Sequence, residues 1–96
     1  MEIYSVYILE CSDDSYYTGI TSDVHKRLTQ HQSGKNKNAY TYFRRPVVLS
    51  YYCEFTEPEM AIDFEKKIKK WSRAKKAALI AGHYDKLPNL AKKKFN

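Results

Sequence analysis

The chain opens with two runs of strand character separated by a polar break. IYSVYILE (3–10) is dense in Ile, Tyr, Val and Leu and reads as a buried strand. CSDDS (11–15) is a turn cluster, and YYTGIT (16–21) resumes the strand composition, so the two runs predict an antiparallel hairpin. Gly19 within the second run marks a bend, or a point where another group approaches the backbone. Ser22 or Asp23 supplies a cap for a helix over about 24–33, and Gly34 fits its carboxyl-terminal stop. KNKNAYTYFRRP (35–46) is polar without a clear period and reads as a loop ending at Pro46.

VVLSYYCEF (47–55) predicts a third strand. Thr56-Glu57-Pro58-Glu59 matches a capping box with proline in the first helical turn. In the helix that follows, Met60, Phe64, Ile68 and Trp71 fall on one expected apolar stripe. Residues 72–81 predict a further helix, stopped by Gly82, and 83–96 an irregular or frayed basic tail. The order β-β-α-β-α-α predicts a mixed α+β domain over 1–82, with a three-stranded antiparallel sheet flanked by helices.

A chain of 96 residues with 43% hydrophobic side chains suits one modest core. No apolar run approaches the roughly 20 residues that span a bilayer. The amino end has an acidic residue at position 2 and no basic segment before its apolar run, which argues against a secretory signal. Cys11 and Cys53 lie in apolar surroundings without partners at metal-ligand spacing, so reduced thiols in a cytoplasmic protein are expected.

Charge sharpens the picture. The net charge of +6 is unevenly spread: residues 1–60 carry 6 basic and 8 acidic side chains, whereas residues 61–96 carry 11 basic and 3 acidic ones. Such a field attracts polyanions, DNA first and RNA as the competing ligand. A solvated helix face would explain the same charges equally well. In the 35–46 loop, Lys37, Tyr40, Thr41, Arg44 and Arg45 mix cations with aromatics, which suits phosphates or unstacked bases. Tyr42 and Phe43 are expected to pack at the base of this loop. Lys26, Lys69 and Arg73 extend the basic candidates.

A smaller set of residues suits phosphodiester hydrolysis. A hairpin can place Tyr7 and Tyr17 side by side across its ladder. Arg27 and His31 are four apart, hence on one helix face. Glu65 is about 100° around its helix from Phe64, at the edge of the apolar stripe. An arginine fork stabilises charge on phosphate, a carboxylate can hold one divalent cation, and a tyrosine or histidine near water can take its proton. Each of these residues also has an ordinary structural explanation.

The ordered motifs SVY (5–7), YTG (17–19) and DVHKRLTQH (23–31), continued by YTYFRRPVVLSYYCEF and EMAIDFEKKIKKWSRAKKAALI, resemble the GIY-YIG nuclease family. Within it the chain looks most like the small single-domain group related to the amino-terminal nuclease domain of the repair excinuclease. The likeness covers roughly residues 3–82 and implies a one-metal endonuclease acting on DNA, with Mg²⁺ or Mn²⁺, in repair or recombination. It implies Tyr7 and Tyr17 as the paired motif tyrosines, Arg27 as the phosphate-clamping arginine, His31 as the residue one turn later, and Glu65 as the metal ligand. Gly19 carries over as the structural turn. Ser5 stands where the first motif usually has glycine and Thr18 where the second has isoleucine. Ile20 occupies a position where some active relatives have lysine, leaving His25 or Lys26 as substitutes and implying weak or partner-dependent turnover. The alternative is a non-catalytic nucleic-acid-binding module on the same fold, working through 66–76; a protein that docks an acidic partner is a third reading.

Overall fold

The computed structural model describes residues 2–82. The chain runs β1 (Tyr4–Glu10), β2 (Tyr16–Thr21), α1 (Val24–Ser33), a 3-10 turn (Tyr42–Arg44), β3 (Val48–Phe55), α2 (Pro58–Lys69) and α3 (Arg73–Ile80). The three strands form one antiparallel sheet in the order β2-β1-β3. This is the expected mixed α+β fold and element order. The expected tail, 83–96, lies outside the described residues.

β1 is central, which explains its unbroken apolar run: Ser5 to Leu9 are all buried. Val6 and Ile8 point to one face and meet Ala61, Ile68 and Leu79 from α2 and α3. Tyr7, Leu9 and Cys11 point to the other face and meet Val24 of α1 and Val47 before β3. The sheet is therefore the middle layer between two small cores, one under each helical layer. No disulfide joins Cys11 and Cys53. Among the described residues no helix is long and apolar enough to cross a membrane.

Local signals set the ends of α1. The Asp23 carboxylate accepts from the Lys26 backbone N–H at 3.0 Å, and Gly34 closes the helix in the left-handed region at φ 69. The start of α2 differs from expectation. Glu57, not Thr56, is the cap residue, and its side chain makes no capping hydrogen bond. The physical reason is Pro58: the residue before a proline is held extended, so the helix begins one residue later than a capping box requires. The apolar face shifts with it. Ala61, Glu65 and Ile68 are buried, whereas Met60 is 59% exposed and off the stripe.

The 35–46 loop is more ordered than its composition suggests. The Gln32 side chain both donates to the Val47 carbonyl at 2.8 Å and accepts from the Val47 N–H at 2.9 Å, tying the end of α1 to the entry of β3. Phe43 also departs from expectation. It does not pack at the base of the loop but stands 86% exposed.

Candidate active site

The hairpin register builds the first part of the site. Tyr7 lies opposite Gly19, and Leu9 opposite Tyr17, so the two tyrosines project diagonally from the same face of the sheet. Their ring centroids are 6.3 Å apart. Gly19 is needed for space: a Cβ there would lie 2.6 Å from Tyr7 Cζ and closer still to the phenol oxygen. Gly19→Ala is expected to cost about 1–3 kcal/mol of stability by forcing this ring aside. Urea unfolding of the variant checks this; an unchanged midpoint would show that Tyr7 moves freely.

His31, one helical turn beyond Arg27, completes a polar chain. Tyr7 Oη lies 3.1 Å from His31 Nε2, and His31 Nδ1 lies 2.7 Å from Thr41 Oγ1. Burial, with the charge of Tyr17 adding to it, pushes the Tyr7 phenol up to about 12, while the Arg27 guanidinium beside it pulls the other way. Burial first, and Arg27 second, hold His31 below its ordinary value. Both directions favour a neutral pair, in which His31 shares one proton-bearing nitrogen and one accepting nitrogen between the Tyr7 phenol and the Thr41 hydroxyl. Thr41 is 1% exposed, so the structure places it behind the histidine rather than on the surface where a nucleic-acid contact was expected.

The depressed His31 value has a sign for stability. The unfolded chain takes the proton more readily, so stability is full above the ordinary histidine value of about 6.5 and falls as pH drops through the folded value. Urea midpoints followed from pH 7 to pH 5 should fall more steeply for the wild type than for His31→Gln. Parallel slopes would show that His31 is not the responsible group.

Arg27 makes no ion pair with any described residue, and it lines an open cleft of about 530 Å³ together with Tyr17, His31, Thr41 and Tyr42. An uncompensated guanidinium at such a wall is suited to an anionic ligand. Glu65 arrives from the opposite helical layer, on α2, which packs against β2 and β1. It is 8% exposed, and its charge is felt at Tyr7. Its Oε2 accepts from Lys69 Nζ at 2.9 Å, one turn on. The expected position at the rim of the stripe is thus a buried one, sustained by this neighbouring cation. Lys76 of α3 is also buried, and desolvation followed by the charge of Lys69 lowers its pKa.

No group of three or more His, Cys, Asp or Glu side chains that could enclose a metal is found among the described residues. A single carboxylate nevertheless fits a hard divalent cation that retains most of its waters and takes further oxygens from a phosphate. Glu65 already draws a cation, Lys69, to its oxygen.

Around this centre lies a ring of cations and aromatics. Tyr40 stacks on Tyr17 at 5.9 Å and 25°, and the Arg44 guanidinium covers Tyr40 at 3.8 Å. Arg44 is fixed by Asp13 at 3.0 Å, and Arg45 by the carbonyls of Tyr42 and Gln32. Arg73 donates to the Asp14 carbonyl at 2.7 Å across the hairpin turn and lies over Tyr16. Lys26 and Lys37 are exposed. Ile20 packs with the α2–α3 core, so no cation occupies that position. Gln32 and Asp13 are absent from the sequence candidates; their roles come from partners distant in sequence, which no local motif marks. Lys76, within the 66–76 segment read as a binding surface, is instead buried.

The GIY-YIG catalytic domain model matches residues 3–78. The UPF0213 protein of Streptococcus pyogenes serotype M5 (strain Manfredo) is 44% identical over 85 residues, covering 88% of this chain and 91% of its own. That of Halobacterium salinarum is 43% identical over 78 residues, covering 81% of this chain and 100% of its own. The solution structure of a UPF0213 protein from Bacillus halodurans aligns with TM-score 0.54 at 43% identity, over 82% of this chain and 83% of that one. A protein from E. faecalis aligns with TM-score 0.60 at 32% identity, over 88% and 92%. The same motifs that build the tyrosine pair, the Gly19 gap and the Arg27–His31 face lie within the matched span, and the chain belongs to the GIY-YIG catalytic domain family, among its small UPF0213 proteins.

Proposed function

We propose that this chain is a divalent-metal-dependent endonuclease that hydrolyses phosphodiester bonds in DNA, in the cytoplasm, in the service of repair or recombination. The observation that carries this reading is the convergence of Arg27, Tyr17, His31 and Thr41 on one cleft, with Tyr7 hydrogen-bonded to His31 behind it and Glu65 close enough for its charge to act on Tyr7. Arg27 binds the scissile phosphate and stabilises the extra negative charge of the transition state. Tyr7 is a poor base while it holds its own proton, in keeping with its raised pKa. It takes a proton from the attacking water only as its own passes to His31 Nε2, in the tautomer whose Nδ1–H donates to the Thr41 hydroxyl. Tyr17 forms the wall that orients the water and the sugar–phosphate. Glu65 holds Mg²⁺ or Mn²⁺, and such an ion, when bound, polarises a phosphate oxygen and eases departure of the leaving oxygen. Lys26, Lys37, Tyr40, Lys69 and Arg73 track the flanking strand, with Arg44 and Arg45 supporting it from the loop.

A second reading, a binding module without turnover, draws on Ile20 standing in the core and on Lys69 occupying Glu65. A plasmid-nicking assay with Mg²⁺ or Mn²⁺, beside a binding titration across salt concentrations, separates the two. Nicking that chelation abolishes supports the nuclease. Binding with a steep salt slope and no nicking supports the module.

A further inference from the structure

We propose that Phe43 is a stacking platform for an unpaired base, so that the preferred DNA carries an unpaired nucleotide beside the cleft; this rests on the nuclease reading above. Phe43 is 86% exposed, against 60% for Val48 and 59% for Met60, the next most exposed large apolar residues described. Leaving a whole aromatic ring in water forgoes the stabilisation that burial gives elsewhere in the chain.

The ring is presented by a rigid support. Arg44 is held by Asp13, by the Tyr40 carbonyl at 2.7 Å and, through its own carbonyl, by the Ser12 N–H at 2.9 Å. Arg45 donates to the Tyr42 carbonyl at 2.9 Å and to the Gln32 carbonyl at 3.3 Å. These anchors come from the hairpin turn and from α1, so the 3-10 turn between them is fixed to the same elements that carry the site.

The three neighbouring rings are not equivalent. Arg44 covers a face of Tyr40, and Arg45 lies over Tyr42 at 4.6 Å. Phe43 meets Tyr42 in a T-shaped contact, with centroids 4.7 Å apart at 88°, and no described cation lies over Phe43. Most of the ring is in solvent, and Tyr42, which it touches, lines the cleft that Arg27 and His31 share. A continuous path therefore leads from the candidate site to an exposed aromatic ring flanked in sequence by Tyr42 and Arg44. Paired bases in a duplex keep their faces stacked inside; only an unpaired base can offer one to a protein ring, and such stacking is sequence-tolerant.

The test is fluorescence anisotropy of the full chain, in chelator so that DNA stays intact. The probes are a perfect duplex, the same duplex with a single-stranded flap, and that flap with an abasic site at its first unpaired position. The wild type should prefer the flap to the duplex. Phe43→Ala should weaken flap binding about tenfold, leave duplex binding within twofold, and add no further loss on the abasic flap. Phe43→Trp should retain the preference, which also controls for folding. Equal weakening on all three DNAs, no weakening on any, or no flap preference in the wild type would each overturn the proposal. Because chemistry is silent here, such a result beside metal-dependent nicking overturns the stacking role alone. A Phe43-dependent flap preference without nicking overturns the nuclease reading instead.

Discussion

Glu65→Ala is expected to lower DNA cleavage on the order of 10³-fold, the loss of several kcal/mol of charge stabilisation at the reacting phosphate. DNA affinity should hold or rise slightly, because the substitution removes a negative charge from a surface that binds a polyanion. The fold should survive. Lys69 is 56% exposed at its side chain, so once released from the carboxylate it is solvated rather than left as a buried charge. Glu65→Gln keeps the volume in the α2 face and should behave alike in cleavage, which separates loss of charge from loss of packing. Titration of both variants with Mn²⁺, and of labelled DNA in chelator, checks the two halves of the expectation. Cleavage by Glu65→Ala at the wild-type rate would show that the metal is held elsewhere.

Arg27→Ala should cost about 10²–10³ in turnover, the range for removing a single donor aimed at developing charge. The loss should fall mainly on the rate at saturating DNA, since the surrounding cations still hold the strand. Arg27→Lys should not restore it, because an ammonium lacks the planar fork that spans two phosphate oxygens. Arg27 also acts on its neighbours: its charge pulls the Tyr7 phenol down and holds His31 down. Removing it should therefore raise both groups, and the pH–rate profile of the residual activity should move to higher pH. Single-turnover rates across pH for the two variants test this; an unshifted profile would mean that Arg27 touches only the substrate.

The parts of this site that were legible in the sequence are those fixed locally. Asp23 and Gly34 mark the ends of α1, and with them the shared face of Arg27 and His31. The turn between two strand-like runs set the hairpin that faces Tyr7 toward Gly19. The parts that were not legible depend on contacts between distant segments. The 3-10 turn is held by Asp13, 31 positions before Arg44, and by Gln32 of α1. Thr41 reads as one more polar loop residue until His31 is seen against it. Glu65 shows a different limit. Its spacing to Lys69 is visible, but a charged residue is expected to stay at the rim, and only the packed α2 face shows it buried. Phe43 reverses the error: an apolar ring was expected to pack, and the anchoring of its neighbours turns it outward.

The central claim is that the Tyr7, Tyr17, Arg27, His31 and Glu65 cluster cuts DNA with the help of a divalent ion. Its most direct test is single-turnover cleavage of end-labelled DNA by wild type and Glu65→Gln purified side by side, each with Mn²⁺ and with chelator. Cut strands are expected from the wild type with Mn²⁺ and from none of the other three reactions. Intact DNA in all four, or equal cutting by Glu65→Gln with Mn²⁺, would contradict it.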